Sequence, residues 1–593
     1  MSGLLATSLT GLMAAQRSLE TVQHNISNVN TEGYSRQRVE LATNPARFTG
    51  DGYIGQGVNV TNVTRSYDQF INKQLSSSLS AFGDVDRYHR LATYVDNIMA
   101  DPSTGIAPVM NRFFNAINEV ADDPSSVPAR QVMLSEAEIL TQSFNTMSGR
   151  FEQIRTQNNN DMIAMVNDIN SYATAIANLN VQIADGIGKS QGLKQPNDLL
   201  DQQDALIAKL SEIVNVSVLP QQNGSSSIFI GNGQALVLGG STSTFTTMQS
   251  TFDLNRLEIG LKTTNGVMEI SNQISGGSLA GSLRFRDEVL DPAQQKLGRV
   301  AAGLAMEINA LHEKGFDLSG KAGEALFSFS GDDIPVIKRS QNAGNAIVTA
   351  KFQDANFNPA AAGNLDFSDF KLEHVSGTDY TLTRIRDNQV INLTAADTVP
   401  STGVFTLSSA TGLPGIDITV DLSGGKTISG GDQFLIRPTY NAAQKIGVNI
   451  DDPRKIAAAT NIELDANGDP VDDGSGTGNS VIIKGAMPGD NRNALQLANL
   501  ANKLGMLGGT ASFNSAYNEV VSGIGTLTRA AKLGASAQET LLNQAKGARE
   551  SLAGVNLDEE AANLMKFQQA YQASAQAISV ARSLFDTLLG AVR

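Results

Sequence analysis

The sequence contains no cysteine and no tryptophan. Without thiols there can be no disulfide, no thiolate metal site and no cysteine nucleophile. Histidine is scarce as well. His24, His89, His312 and His374 lie far apart, and none has a second histidine or a carboxylate at metal-ligand spacing on a helix. Each reads as a surface or capping residue. Charge is thin and acidic: 44 basic against 59 acidic residues leave a net −15. Nucleic-acid binding needs a basic face, so no such partner is expected. No run of about 18 apolar residues occurs, which excludes an expected membrane-spanning helix. Residues 1–16 lack a basic start, and Thr7, Ser8 and Thr10 break their apolar run, so no cleaved signal is expected. Nucleophile elbows, phosphate loops and HExxH are absent. Gly55-Gln-Gly57 lacks the third glycine of a dinucleotide loop. Asp465-Ala-Asn467-Gly-Asp469 begins like a calcium loop, but Pro470 and Gly476 stand where glycine and a bidentate glutamate are needed, so it reads as a solvated turn. No catalytic, cofactor or metal residue is assigned, and no enzyme is expected.

What is present is heptad spacing. Leu5, Leu12, Leu19 and Ile26 recur every seven residues, with Leu9, Ala15, Val22 and Val29 between them. This makes a narrow seam along one helix face, as in a coiled coil, and such a seam needs a partner helix. The far end of the chain supplies one: Leu557, Leu564, Tyr571, Ile578 and Phe585, again at sevens, with Phe567, Ala581 and Leu588 between. Asn556 can cap that helix, Asp558, Glu559 and Glu560 suit its positive start, and Gly590 reads as its end. After the first seam, Asn25, Asn28, Asn30, Thr31 and Gly33 read as a helix stop and turn, because Asn and Gly tolerate positive φ.

At 593 residues the chain has room for three or four domains. Residues 35–65 read as an extended linker with a short hairpin. Residues 66–215 are mostly helical, with one seam from Met133 to Ile183 that would run about 75 Å. Strands are expected at 227–230, 235–238, 256–263 and 267–270, the last two joined at Asn265-Gly266. Helix returns near Pro292. Seven short strands between 347 and 436 suggest a sandwich or barrel inserted between helices. Helix is expected again after Pro438, over 491–504 and over 511–553. The resulting fold class is α+β multidomain: long coiled-coil-like helices from both ends form a rod, with mid-chain β-rich insertions. The expected domains are 1–42 with 553–593 (terminal helices); 43–215 with 283–330 and 441–552 (helical rod); 216–282 (small β subdomain); and 331–440 (β-rich outer domain).

Asn25-Ile-Ser-Asn28-Val-Asn30-Thr31-Glu-Gly33-Tyr34 resembles the hallmark segment of bacterial flagellar axial proteins, the rod, hook and hook-associated family. Asn556-Leu-Asp-Glu-Glu-Ala-Ala-Asn563-Leu-Met-Lys-Phe567-Gln568-Gln569-Ala-Tyr571 resembles the same family's C-terminal segment, and Asp586-Thr-Leu-Leu589 also fits. Pro196-Asn-Asp-Leu-Leu-Asp201-Gln-Gln-Asp204, Gly315-Phe-Asp317-Leu-Ser-Gly320 and Gly489-Asp-Asn-Arg-Asn493 are similar to the members that form the hook–filament junction. Residues 331–430 carry no such match. The resemblance implies a structural protein, exported through the flagellar type III channel with a cytoplasmic chaperone on its C-terminal region. It implies a ring of copies at the hook tip, between the hook protein and the next hook-associated protein. The paired terminal helices would then form an inner tube and order on assembly. The competing readings are another axial subunit, such as a hook or distal rod protein, and a surface binding module using the β insertion.

Overall fold

The computed structural model describes residues 2–592 except 49, 51, 102–104, 192–193, 254, 265, 330–333, 353–367, 396–402, 409–415, 461–462, 465–480 and 483–488. The expected turn at Asn265 and the calcium-like segment from Asp465 lie outside the described residues. Helix α1 spans Ser2–Ser27. A turn at 28–33 follows it, and then an antiparallel ribbon, β1 (Gln37–Thr43) against β4 (Val58–Arg65). The small hairpin β2 (Arg47–Phe48) and β3 (Tyr53–Ile54) lies between them. Thus β1 crosses the expected limit at residue 42, because its pairing with β4 makes 37–65 one unit.

Four helices come next: α2 (Gln69–Met99), α3 (Ile106–Asp122), α4 (Val127–Lys189) and α5 (Asn197–Ile213). Asp68 caps α2 by accepting from the amides of Phe70 and Ile71, and Ser126 caps α4 through the amide of Ala129. Helix α4 is unbroken for 63 residues, about 95 Å. Its predicted seam is buried from Met133 to Ile154 and again at Met162, Ile169, Ile176 and Ile183. Between those the inward positions are Val166, Ala173 and Asn180, while Met165 and Tyr172 sit at the flank. Asn180 can face inward because its amide is fully used, donating to Ser226 O and Gly239 O at 2.8 Å and accepting from Ser226 N at 2.7 Å.

Over the second half of α4 lies the small β subdomain. It has a four-stranded sheet, β5 (Val216–Pro220), β6 (Ser226–Ile230), β7 (Gln234–Leu238) and β8 (Ser241–Thr242), in that order. A three-stranded sheet runs β11 (Gly266–Glu269), β10 (Leu257–Thr263), β9 (Phe245–Gln249). Ile228, Leu236, Val237 and Ile259 close its core on Met162, Val166 and Ile169. Helix α6 (Gly277–Phe285), one π-helical turn (Arg286–Leu290) and α7 (Asp291–His312) then return the chain to the rod. The strand β12 (Gly315–Phe316) follows.

The outer domain is an eight-stranded antiparallel sheet. Its strands are β13 (Val336–Lys338), β14 (Ile347–Phe352), β15 (Phe370–Ser376), β16 (Asp379–Arg384), β17 (Val390–Ala395), β18 (Val404–Ser408), β19 (Ile416–Asp421) and β20 (Gln433–Ile436). The order is β13-β20-β15-β16-β17-β18-β19-β14, and a bridge from Ile334 to Ala350 joins the two edges, so the sheet closes on itself as a barrel. Strict alternation drives this: β14 and β19 each bury every second residue, filling the interior with Val348, Phe352, Ile416, Ile418 and Val420.

After Pro438 the expected helix is a single turn, Ala442–Lys445; the described chain to residue 490 is otherwise extended, with one 3₁₀ turn at Pro453–Lys455 and short strands at 459–460, 463–464 and 481–482. Here the backbone binds β12 and the rod at several points, and the strands at 463–464 and 481–482 pair with each other. Helices α8 (Arg492–Asn499), α9 (Phe513–Ala553) and α10 (Leu557–Val592) finish the chain. Helix α9 runs along α2, and α10 along α1. Gly590 does not end α10, which continues to Val592. Among the described residues no helix is long and apolar enough to cross a membrane.

Two histidines depart from the expected surface role. His312 is fully buried: its Nε2 accepts from the amide of Ala457 at 2.9 Å while Nδ1 meets Glu324 O at 2.5 Å. His374 is buried against Tyr380, ring centroids 4.8 Å apart. A neutral imidazole offers one donor and one acceptor, and so can tie two backbone groups in a core.

Candidate functional site: the hub joining the two ends

Helix α1 packs along α10 and also against the β1–β4 ribbon. Ala14, Ala15, Ser18, Val22 and Asn25 are the buried positions of α1, and a Cβ on Gly11 would lie 3.2 Å from the Ser574 hydroxyl. On α10 the buried positions are Glu560 and Ala581, with Leu564, Phe567, Ser574 and Ile578 half-buried. The predicted seam is therefore divided. Leu12, Leu19 and Ile26 are half-buried, whereas Leu5, Leu557, Tyr571 and Phe585 remain 38–51% exposed and Gln568 lies on the surface. The heptad count was blind to this because Ala, Ser and Gly carry little hydrophobic signal, yet they permit the closest backbones.

At the end of α1 the pairing becomes polar. The Asn25 side chain accepts from the Gln37 amide (2.9 Å) and from the Tyr34 hydroxyl (2.7 Å), and donates to Gln37 O (3.0 Å) and to the Glu560 carboxylate (3.1 Å). That buried amide is fully satisfied. Glu560 also accepts from Arg36 Nε at 2.7 Å, and Arg36 reaches Glu559 at 2.5 Å. The Arg36 amide donates to Ala553 O at 2.8 Å. Arg549 donates to Gly33 O at 2.7 Å. Gly33 has φ +83°, and a Cβ there would come within 2.9 Å of Ala205, so both its conformation and the space demand glycine. Asn28 donates to His24 O and accepts from Thr31, which closes the turn; Asn30 and Thr31 themselves are exposed.

The segment 196–204 locks onto the same point. Ser35 N donates to Asp201 at 2.9 Å, Gln37 Nε2 to Asp198 at 2.7 Å, Asn197 Nδ2 to Val63 O at 2.8 Å, and Arg65 to Asp201 (2.8 Å) and Asp204 (2.5 Å). The Arg65 guanidinium stacks on Tyr67 at 4.1 Å. Burial opposes the charge of Arg65, but Asp204 and Asp201 outweigh it and raise its pKa. Burial, helped by Asp198, Asp201 and Glu560, raises the pKa of Tyr34, which keeps its hydroxyl a donor to Asn25. Beside the hub a crevice of about 1520 Å³ runs between the 28–36 turn, α2, α5, β5 and α9. Sequence reasoning had found the two terminal motifs and the 196–204 motif as separate strings. It missed Arg36 and Arg65 and read Glu560 only as a helix-start charge.

A second knot joins the two remaining motifs. Asp317 accepts from the amides of Ser319 and Lys321, both at 2.8 Å. Asn493 donates to Ala457 O at 2.6 Å, next to the His312–Ala457 bond, and Asn491 to Ala121 O at 2.7 Å. Both sites hold segments in place. Among the described residues no group of His, Asp and Glu is arranged to hold a metal ion.

Known proteins match along the same lines. A family model described as the flagellar hook-associated protein FlgK helical domain matches residues 92–327. Models for the flagella basal body rod protein and for the flagellar basal body rod FlgEFG protein C-terminal match 5–34 and 550–591, the two ends that meet in the hub. Flagellar hook-associated protein 1 of Salmonella typhimurium is 34% identical over 594 residues, covering 99% of this chain and 100% of that protein. Its Escherichia coli namesake is 32% identical over 592 residues, with the same coverage. Among solved structures, the flagellar hook junction protein FlgK from Burkholderia pseudomallei matches at 25% identity with a TM-score of 0.68, covering 81% of this chain and 100% of that one.

Proposed function

The chain belongs to the family of flagellar hook-associated protein 1, structural proteins of the bacterial flagellum at the hook–filament junction, and on that premise we propose how its own residues serve that place. The hub carries the reading: Asn25, Tyr34 and Arg36 of the N-terminal motif close on Glu560 of the C-terminal one, and residues 197–204 anchor both to the rod. The hub thus holds the terminal helices as one stem in register with the body. The apolar side chains that the stem leaves exposed, Leu5, Leu557, Tyr571 and Phe585, take the stems of neighbouring copies in a ring at the hook tip. Burying the exposed half of each of these large side chains is worth about 1 kcal/mol. The ring bears on the hook protein below and on the next hook-associated protein above. Its role is mechanical, without catalysis. The chain leaves the cell unfolded through the flagellar export channel, where the lack of cysteine prevents cross-linking, and a cytoplasmic chaperone covers its C-terminal region beforehand.

Electron microscopy of cells lacking this chain tests the reading. Hooks without filaments, with flagellin lost to the medium and filaments restored by the intact chain, are expected. Filaments growing on hooks in its absence would refute the junction role.

A further inference from the structure

The outer barrel joins the rest of the molecule through a narrow neck. The chain enters it near Ile334 and leaves at Arg437, and the two crossings are pinned together by a bond from Arg437 N to Pro335 O at 3.0 Å. A neck of two crossings is a hinge unless something fixes its angle. The apolar seat on the rod is limited to Ala302 and Ala442, flanked by Met306 and by Phe329, whose ring lies 6.0 Å from that of Phe352 in the barrel. Beside the neck a cavity of about 340 Å³, lined by Glu152, Asp253, Gln294, Pro335, Arg437 and Tyr440, leaves the three bodies without close packing.

One side chain bridges all three. Arg437 Nε donates to Asp369 of the barrel at 2.9 Å, its Nη1 donates to Asp253 of the small β subdomain at 2.6 Å, and its guanidinium lies 3.3 Å from the ring centre of Tyr440, where the rod resumes. Arg437, Asp253 and Asp369 are all buried. The planar fork of arginine can serve two carboxylates in different directions and stack at once, which a lysine cannot do. Backbone reinforces the seam at one more point, Ser340 N to Thr251 O at 3.1 Å.

We propose that Arg437 is the lock of an interdomain hinge: through Asp253, Asp369 and Tyr440 it holds the outer barrel at one angle to the rod, and without it the barrel swings about the neck. The device operates within a single chain and does not depend on the assembly.

Because the chain has no native cysteine, two spin labels can be placed uniquely, at Gln142→Cys on α4 and Ser376→Cys on the barrel, both exposed. Pulsed electron–electron dipolar spectroscopy on the full-length protein then reads the barrel–rod distance. The labelled parent should give one narrow distribution. Arg437→Met should widen it at least twofold, with far-ultraviolet circular dichroism unchanged. Asp253→Ala removes only the subdomain arm of the lock and leaves the barrel's own contacts in place; it should also widen the distribution, and it decides the matter should Arg437→Met fail to fold. A folded variant of either kind that keeps the parent's width overturns the proposal.

Discussion

Replacing Glu560 by glutamine removes the charge at the centre of the hub with almost no change of shape. The carboxylate is 1% exposed and accepts from Arg36 Nε at 2.7 Å and Asn25 Nδ2 at 3.1 Å. Glutamine presents one acceptor and one NH₂ where both partners are donors, so one bond becomes a donor–donor clash. Arg36, 8% exposed, is left with Glu559, whose side chain is 59% exposed, as its one remaining carboxylate partner in the hub. Breaking a buried ion pair from one side costs about 3–5 kcal/mol. Solvated Glu559 remains as a substitute partner, so the lower end, about 3 kcal/mol, is the expected loss. That is a rise of roughly 100-fold in the undocked population of the stem. The assay is native-state amide exchange on the purified chain. Protection should fall by about two decades over Ala14–Gln37 and 557–567 and stay unchanged along α4 from Met133 to Ile154, whose core shares no residue with the hub. Unchanged protection over Ser18–Asn25, or an equal loss along α4, would refute the account. In the double variant Arg36→Met/Glu560→Met part of the loss should return, since replacing both charges leaves none unpaired.

The outer ends of the stem, residues 5–13 and 582–587, where exposed apolar side chains outnumber buried ones, should exchange fast in the free monomer and slowly in assembled flagella; strong monomer protection there would argue against ordering on assembly. Deleting 557–593 should abolish incorporation into flagella while the rod and barrel keep their circular dichroism, and normal incorporation would refute the stem's role. Gly33→Ala should lower stability by about 1–2 kcal/mol from the positive φ alone, more if Ala205 cannot shift, as read by thermal unfolding. His312, held neutral by burial with its pKa lowered to about 4, is protonated in the unfolded chain already near 6.5, so stability should fall as pH drops through that window, by about 3 kcal/mol in all. Asp369 works in the opposite sense, raised by burial to about 6, so the difference between wild type and His312→Gln isolates the histidine; a pH-independent difference would sink the assignment.

The stretch from Leu5 to Tyr34 carried its own helix, stop and turn, since capping and periodicity are local physics: α1 does end at Ser27, and Asn556 does cap α10 through the amides of Asp558 and Glu559. Alternation likewise revealed the barrel strands, because each strand's pleat sorts its own residues inward and outward. Which positions of α1 become most buried was beyond a hydrophobic count, as these are Ala14, Ala15, Ser18, Val22 and Asn25 rather than the leucines. The segment after Pro438 misled for a related reason: its apolar residues Ile446, Ile450 and Ile456 are buried, but against the rod from an extended chain. Above all, Asp201 lies 166 residues from Ser35, and Glu560 lies 535 from Asn25. Each is an ordinary polar residue in its own neighbourhood. Only the tertiary fold removes water from around them, and it is that shared burial which turns five separate motifs into two knots and makes the pairing of the chain's ends specific.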